Sequence, residues 1–490
     1  MIKPQTSSIA YTRAVARLTA QSVVQTRLAD SDGVSEVLVV CPQVSLIGCE
    51  VSSGRVNYSG KIIFTVAFCD EEGKLCRMQR GAEFSHFCDD ASLAPAQTAV
   101  CALSCERVGI RRDGSAIVLS AVVTAQIDVF SPAERTFITS CDGAYLKTQL
   151  KEFFSYVSFS GECEVEDDFE ADGVDDILVP AAEALVCAAS CGTGEVEVSG
   201  DINLSLLAMR KGVPAGFERA IPFRCIVPCE DSASGALPRV CAEVRDMNVN
   251  AAVDDERGKC RIQFTCTLAV RGSFGVRSEQ TVATDAFSCT NAVESVRAEE
   301  SACVVCERKV YSERISSVAS SKAKLDFSCR FLAVACPRVE YEYSPSAGAV
   351  EGAVLAVLLY EQGGEVRSTQ ISMPFSVRVG SSEGVRVSAS VCGVSVKQPA
   401  EGRVEGEGLV KVSVEYPRNS SVSYLVSAEE GQPLPPDPGA ITVIVPAAGD
   451  TLWDAARKLG CPPDEVFAFN PGLKYPLSGR ERVLVYKKSR

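Results

Sequence analysis

Histidine is almost absent from this chain: there is one, His86, in 490 residues. Ser-His-Asp and Cys-His catalysis both need an imidazole base, so at most one such set could be assembled. His86 falls in the second strand of a hairpin described below, and the equivalent places in two related hairpins hold Cys225 and Val377, which argues against catalysis there. No apolar run approaches the roughly 20 residues of a membrane-spanning helix. Charges interrupt the apolar runs near the N-terminus, so no signal-peptide core is present. No Gly-x-x-x-x-Gly-Lys-Ser/Thr loop exists to cradle phosphates, and nucleotide hydrolysis has no support. Positive charge is short as well. With 49 Lys and Arg against 63 Asp and Glu the net charge is −14, and no basic, aromatic-rich stripe is available to follow a phosphate backbone, so nucleic-acid binding is disfavoured.

Cysteine, by contrast, is plentiful: 23 residues, an odd number at irregular spacings. Without an export signal the expected setting is the cytoplasm, where thiols stay reduced and a disulfide framework is not expected. Cys266, Cys329 and Cys392 sit inside strand-like runs, where a free thiol behaves as a small apolar residue. Cys303 and Cys306 form a lone CxxC, whereas structural zinc needs a second pair or nearby histidines. The pairs Cys101 and Cys105, Cys187 and Cys191, and Cys225 and Cys229, each four apart, read as buried or incidental thiols. The acidic run from Glu164 to Asp172 lacks the alternating ligands and central glycine of a calcium loop and reads as a solvated loop. No metal and no cofactor are expected.

What organises the chain is a repeat. Residues 60–68 (Gly-Lys-Ile-Ile-Phe-Thr-Val-Ala-Phe) return as 200–208 (Gly-Asp-Ile-Asn-Leu-Ser-Leu-Leu-Ala) and as 352–360 (Gly-Ala-Val-Leu-Ala-Val-Leu-Leu-Tyr). Each copy is followed by a turn at Gly73, Gly212 or Gly363 and a second run that reaches Phe84, Phe223 or Phe375. This pattern predicts a β-hairpin used three times. Ile62, Phe64, Val66 and Phe68 alternate along the first copy, answered by Ile202, Leu204 and Leu206 and then by Val354 and Leu358, so one face of each strand is expected to be core. Gly33, Gly54 and Gly60 are matched in step by Gly173, Gly194 and Gly200. Later strands are expected at 117–127, 260–270 and 409–416, after turns at 112–115, at 257–258 and at the glycines 402, 406 and 408. Residues 144–157 carry Leu146, Leu150, Phe153 and Phe154 at a spacing that fits a helix or a strand.

The expected organisation is three β-rich units, at 1–130, 131–294 and a more diverged 295–428, then a Pro/Gly-rich linker at 429–440 and a small module at 441–490. In that module 441–445 reads as a strand, Asp450 or Thr451 caps a helix that Gly460 ends, Pro463 opens a second helix that stops at Asn470-Pro471, and 483–486 closes as a strand. It carries eight Lys and Arg against five Asp and Glu, so it is basic on an acidic body.

Gly449-Asp-Thr-Leu-Trp453, Asn470-Pro-Gly-Leu473 and the final strand resemble a LysM domain. The whole chain resembles the sporulation proteins that join SPOCS repeats to a LysM domain. That resemblance implies a mainly β fold, with three antiparallel SPOCS-like repeats followed by a βααβ LysM domain. It also implies a non-enzymatic role in endospore coat assembly, in the mother-cell cytoplasm at the forespore surface. The implied partner is the spore coat morphogenetic ATPase or another coat protein, with peptidoglycan, an N-acetylglucosamine polymer, as the alternative. The family's ligand groove maps onto Gly449, Asp450, Thr451 and Leu452 and onto Asn470, Pro471, Gly472, Leu473 and Lys474, with Trp453 read as core. An enzyme hidden in the repeats is the weakest alternative, because each copy lacks acid and base groups the others would need.

Overall fold

A computed structural model describes residues 2–29, 33–114, 116–254, 259–435 and 441–486, and the protein is mainly β. The first eighteen strands fall into three sets of six. The first unit holds β1 (Lys3–Leu28), β2 (Glu36–Ser52), β3 (Arg55–Cys69), β4 (Leu75–Asp89), β5 (Thr98–Asp113) and β6 (Ala116–Asp142). The second holds β7 (Tyr145–Asp172), β8 (Val174–Cys191), β9 (Glu195–Arg210), β10 (Val213–Pro228), β11 (Arg239–Asp254) and β12 (Lys259–Phe287). The third holds β13 (Asn291–Ser321), β14 (Arg330–Ser344), β15 (Ala349–Gln362), β16 (Glu365–Arg378), β17 (Arg386–Ala400) and β18 (Arg403–Pro433).

Every unit repeats one antiparallel topology. Its second, third and fourth strands form a meander, and its sixth lies between its first and fifth. In the third unit β13 also pairs with β16 at Ser320 and Ser321, which merges the two sheets into one of six strands. The three expected hairpins are β3–β4, β9–β10 and β15–β16. In each the opening glycine stands directly across from the aromatic: Gly60 from Phe84, Gly200 from Phe223, Gly352 from Phe375. A methyl at Gly60 would lie 2.6 Å from the Phe84 ring, and one at Gly200 or Gly352 would overlap the carbonyl oxygen of Leu185 or Glu340. Glycine and aromatic therefore form one cross-strand device, the ring covering the gap left by the missing side chain. The matched glycines Gly54 and Gly194 both occupy left-handed turns, at φ +73° and +79°, a conformation glycine adopts without strain.

The alternating residues face inward as expected. Ile62, Phe64 and Val66 pack against Ile117, Leu119 and Val123 of β6, closing the two sheets of the first unit face to face. Ile202, Leu204 and Leu206 do the same in the second unit, and Val354 and Leu358 in the third. Of residues 144–157, all from Tyr145 on are strand, within β7. The acidic run lies on β7 too and not in a loop: Glu164, Glu166, Asp168 and Glu170 point outward while Cys163, Val165, Phe169 and Ala171 face the core. Of the turn expected at 112–115, residues 112–113 end β5 and Gly114 is left-handed at φ +64°, while residue 115 and the turn expected at 257–258 fall outside the described residues.

The sixth strands are 27, 29 and 31 residues long, well beyond the usual ~3–10. They run past the expected limits of their units. β6 crosses residue 130 and stays paired to β1 up to Lys3 and Asp142, and β18 crosses 428, pairing Glu429, Glu430 and Pro433 with β13. The expected linker is thus strand in its first part, and 436–440 lie outside the described residues. The extra length serves association between units. Phe137, Val282 and Tyr424 meet in one cluster and Ile138, Ala283 and Leu425 in the next, each set one residue per unit. A third shared cluster joins the meanders, where the cross-strand pairs Val39–Ala67, Val179–Leu207 and Ala333–Leu359 converge. Like positions meeting three at a time make the body a pseudo-threefold ring.

Candidate functional site

The C-terminal module has the expected order: β19 (Ile441–Ile444), α1 (Leu452–Leu459), α2 (Pro463–Phe469) and β20 (Val483–Tyr486), the strands antiparallel. Thr451, not Asp450, caps α1. Its hydroxyl accepts from the Asp454 backbone N–H at 3.4 Å, and Asp454 Oδ2 accepts from the Thr451 backbone N–H at 2.9 Å, a reciprocal capping box. The Thr451 hydroxyl also donates to Asp454 Oδ2 at 2.6 Å, and this bond, followed by the one from the Thr451 N–H, holds the Asp454 carboxyl below its usual range. Gly460 ends α1 in the left-handed region. Asp450 instead pins its own loop, accepting from Lys458 Nζ at 2.5 Å and from the Ala447 N–H at 2.8 Å, and both partners lower its pKa.

The first loop of the expected groove is tied to Leu477, three residues beyond the second loop. The Gly449 N–H donates to Leu477 O and the Leu477 N–H to Asp450 O, both at 2.8 Å. Leu452 and Leu473 are half-buried and pack on the module's core. Asn470 is buried and structural: its Nδ2 donates to Val466 O at 2.8 Å and Leu484 O at 2.7 Å, while Oδ1 accepts from the Leu484 N–H at 2.9 Å. This side chain fastens the end of α2 to β20. Of the nine expected contact residues, Gly449, Pro471, Gly472 and Lys474 are exposed, and Asp450, Thr451, Leu452, Asn470 and Leu473 are wholly or partly engaged inside the module.

Trp453 turns toward the body. Its indole N–H donates to Asp285 Oδ2 at 2.9 Å, its ring meets Phe287 edge-on with centroids 4.9 Å apart, and Arg457 reaches the same carboxylate at 2.6 Å. Phe287 joins the core of the module. Helix α1 is therefore the docked face, built on the end of β12, and the module is not simply hung from a tether.

The opposite face is apolar and open. Ile444, Val483 and Val485 point into the core, so alternation turns Ile441, Val443, Val445 and Tyr486 outward. Val445 is 71% exposed and Ile441 56%. Phe469, exposed at the end of α2, meets Tyr486 with ring centroids 5.5 Å apart, extending the patch onto the helix. The sequence signal for this face was the odd-numbered apolar run Ile441, Val443, Val445, which reads equally well as a buried strand.

A second candidate lies where the three units meet. A chamber of about 1350 Å³ is lined by residues of all three. Its charged hub is built from carboxylates that each hold two guanidinium groups. Asp128 accepts from Arg17 at 3.1 Å and, across units, from Arg386 at 2.5 Å. Glu415 is met by Arg308 at 2.6 Å and by Arg239 of the second unit at 3.5 Å. Glu243 accepts from Arg245 at 2.9 Å and Arg271 at 3.1 Å, and takes the N–H of Leu46 in the first unit at 3.0 Å. Asp128, Arg271 and Glu415 occupy the same place on β6, β12 and β18, counted from Ala116, Lys259 and Arg403. Burial raises the Glu415 pKa against the pull of Arg308, and pushes Glu183 on the chamber wall to about 7 despite Arg338.

His86 stacks on Phe87 and meets Tyr58 edge-on. Cys303 and Cys306 lie along β13, and Cys306 Sγ donates to Tyr416 O at 3.3 Å. Among the described residues no three His, Cys, Asp or Glu side chains converge as a cation site requires, and no helix is long and apolar enough to cross a membrane. Comparison with known proteins finds no matching family model, no matching curated protein and no matching solved structure.

Proposed function

We propose that this chain is a non-enzymatic scaffold in endospore coat assembly, acting in the mother-cell cytoplasm at the forespore surface. Its ring of β units forms the body, and its C-terminal LysM-like module binds a coat morphogenetic protein. The observation that carries this is the open apolar face of β19 and β20. A contiguous exposed patch of this kind on a small module marks a contact surface, since leaving Ile441, Val443, Val445 and Tyr486 in water is unfavourable until a partner covers them. The module is basic while the body is acidic, so a partner with acidic residues beside an apolar patch fits, apolar contact supplying affinity and charge mainly hastening encounter.

Glycan binding between the loops is the competing function, and the exposed backbone at Gly449 and Gly472 is what favours it. Substitution of the full-length chain separates the two. Val443→Asp and Val445→Asp are expected to abolish capture of the coat ATPase from a sporulating-cell extract while sparing the module's fold, whereas Lys474→Ala leaves capture unchanged. Retention of the double Asp variant by that partner, or robust binding of the wild type to purified peptidoglycan that Lys474→Ala weakens, overturns the protein-contact reading.

A further inference from the structure

We propose that the chamber at the junction of the three units binds a small oxyanion of the phosphate class, held by Arg239 and Ser413. The Glu415 triad sets two guanidinium groups against one carboxylate, and all three side chains are nearly inaccessible, at 10% for Arg239 and 7% for both Arg308 and Glu415. An excess positive charge so placed has little water to stabilise it and calls for a counter-anion. Arg386 lies near enough to act on Glu415 as well, although its own carboxylate is Asp128.

Two donors there lack partners. Arg239 Nη2 and Ser413 Oγ are both buried without an acceptor, on residues only 8% and 3% exposed, and both residues line the chamber; Glu415 Oε2 is buried without a hydrogen-bond donor as well, with Arg239 Nε 3.5 Å away. Ser413 stands two residues from Glu415 on β18, hence on the same face of the strand. A guanidinium N–H and a hydroxyl on the wall of one chamber suit a tetrahedral oxyanion, which accepts from both. Of the acids elsewhere on the wall, Glu218 accepts the backbone N–H groups of Gly393 and Val394, Glu106 accepts from Thr124 and Gln21, and Glu340 accepts from Arg338, while Glu183 and Glu342 accept no hydrogen bond among the described residues and burial pushes Glu183 up to about 7. Cys241 marks the centre of the hub, close to Arg271, Glu243, Arg386 and Glu415. Because the triad draws Arg239 from the second unit and Arg308 and Glu415 from the third, the anion would bind only the assembled ring and stabilise it by mass action.

The test is thermal unfolding of the full chain in increasing inorganic phosphate, with chloride added to hold ionic strength constant. A saturable rise of a few degrees is expected with phosphate, absent with chloride alone, lost in Arg239→Met and reduced in Ser413→Ala. Equal behaviour in the two salts, or a phosphate-dependent rise that survives Arg239→Met, overturns the proposal. Should Arg239→Met not fold, the wild type decides: phosphate is expected to slow alkylation of Cys241, located by mass spectrometry, and an unchanged rate at matched ionic strength counts against the site.

Discussion

At the scale of single residues, the glycine–aromatic pair is what makes each hairpin fit. Gly200 is a close approach and not a hinge: its missing Cβ leaves room for the Leu185 carbonyl of the neighbouring strand, and Phe223 covers it from across the ladder. Gly200→Ala should therefore destabilise the protein by about 1–3 kcal/mol, the usual cost of forcing a methyl into a packed site. Gly81→Ala is the control, since the nearest atom to a methyl there is Lys61 Cε at 3.7 Å and the change should stay within about 0.5 kcal/mol. Urea midpoints compare the two, and equal losses would show that the repeat glycines serve another purpose. The motif's spacing was legible in the sequence, but the contact behind it was not, because Leu185 lies on a strand the motif does not include. Asn470 is the converse case. Its motif suggested a ligand contact, and its three hydrogen bonds make it a fastening for β20.

Among the elements, α1 decides how the module sits. An amphipathic helix of this length has one apolar stripe, and here the stripe serves the module's own core through Ala455, Ala456 and Leu459, while Trp453 and Arg457 close on Asp285 and Phe287 at the end of β12. Trp453 is the sole tryptophan, so its emission reports that contact directly. Asp285→Ala leaves the indole N–H and Arg457 without their acceptor, at about 1–3 kcal/mol. The expected outcome is greater quenching of Trp453 by acrylamide with an unchanged far-UV spectrum. Unaltered quenching would mean that the docked arrangement does not persist in solution. No local pattern marks Asp285 as a partner, because the contact joins residues 168 apart.

For the whole molecule, the three shared clusters and the charged hub predict that no unit is self-sufficient. Phe137, Val282 and Tyr424 each need the other two to complete one core, and Arg386 and Arg239 each reach a carboxylate of another unit. A chain ending at 435 keeps every strand of the ring and should unfold in one cooperative transition. A chain ending at 288 loses the third unit, exposes the apolar ends of β6 and β12 and leaves Asp128 without Arg386, so it should aggregate or unfold without cooperativity. A two-unit chain as cooperative as the longer one would refute the ring as the folding unit. Cutting at 429, where the composition suggests a linker, is expected to be worse than cutting at 435, because it removes the pairing of Glu430 and Pro433 with β13.

Local information alone decided the period-two alternation of β3, β9 and β15, the threefold repeat of the hairpin and the order strand, helix, helix, strand at the C-terminus. Each depends on neighbours within a few residues or across one tight turn, and turn chemistry and side-chain alternation act over that range. The same alternation was present on β7, where Cys163, Val165, Phe169 and Ala171 interleave with acids, but the density of charge masked it. Three features belong to the tertiary structure alone: the length of the sixth strands, the hub of arginine–carboxylate triads and the docking of Trp453. Each brings together groups from different units or modules, and burial, rather than any local pattern, selects which arginine meets which acid. The outward face of β19 was settled the same way, because Val443 and Ile444 are equally apolar in sequence and only the packing of the two helices chooses which of them is covered.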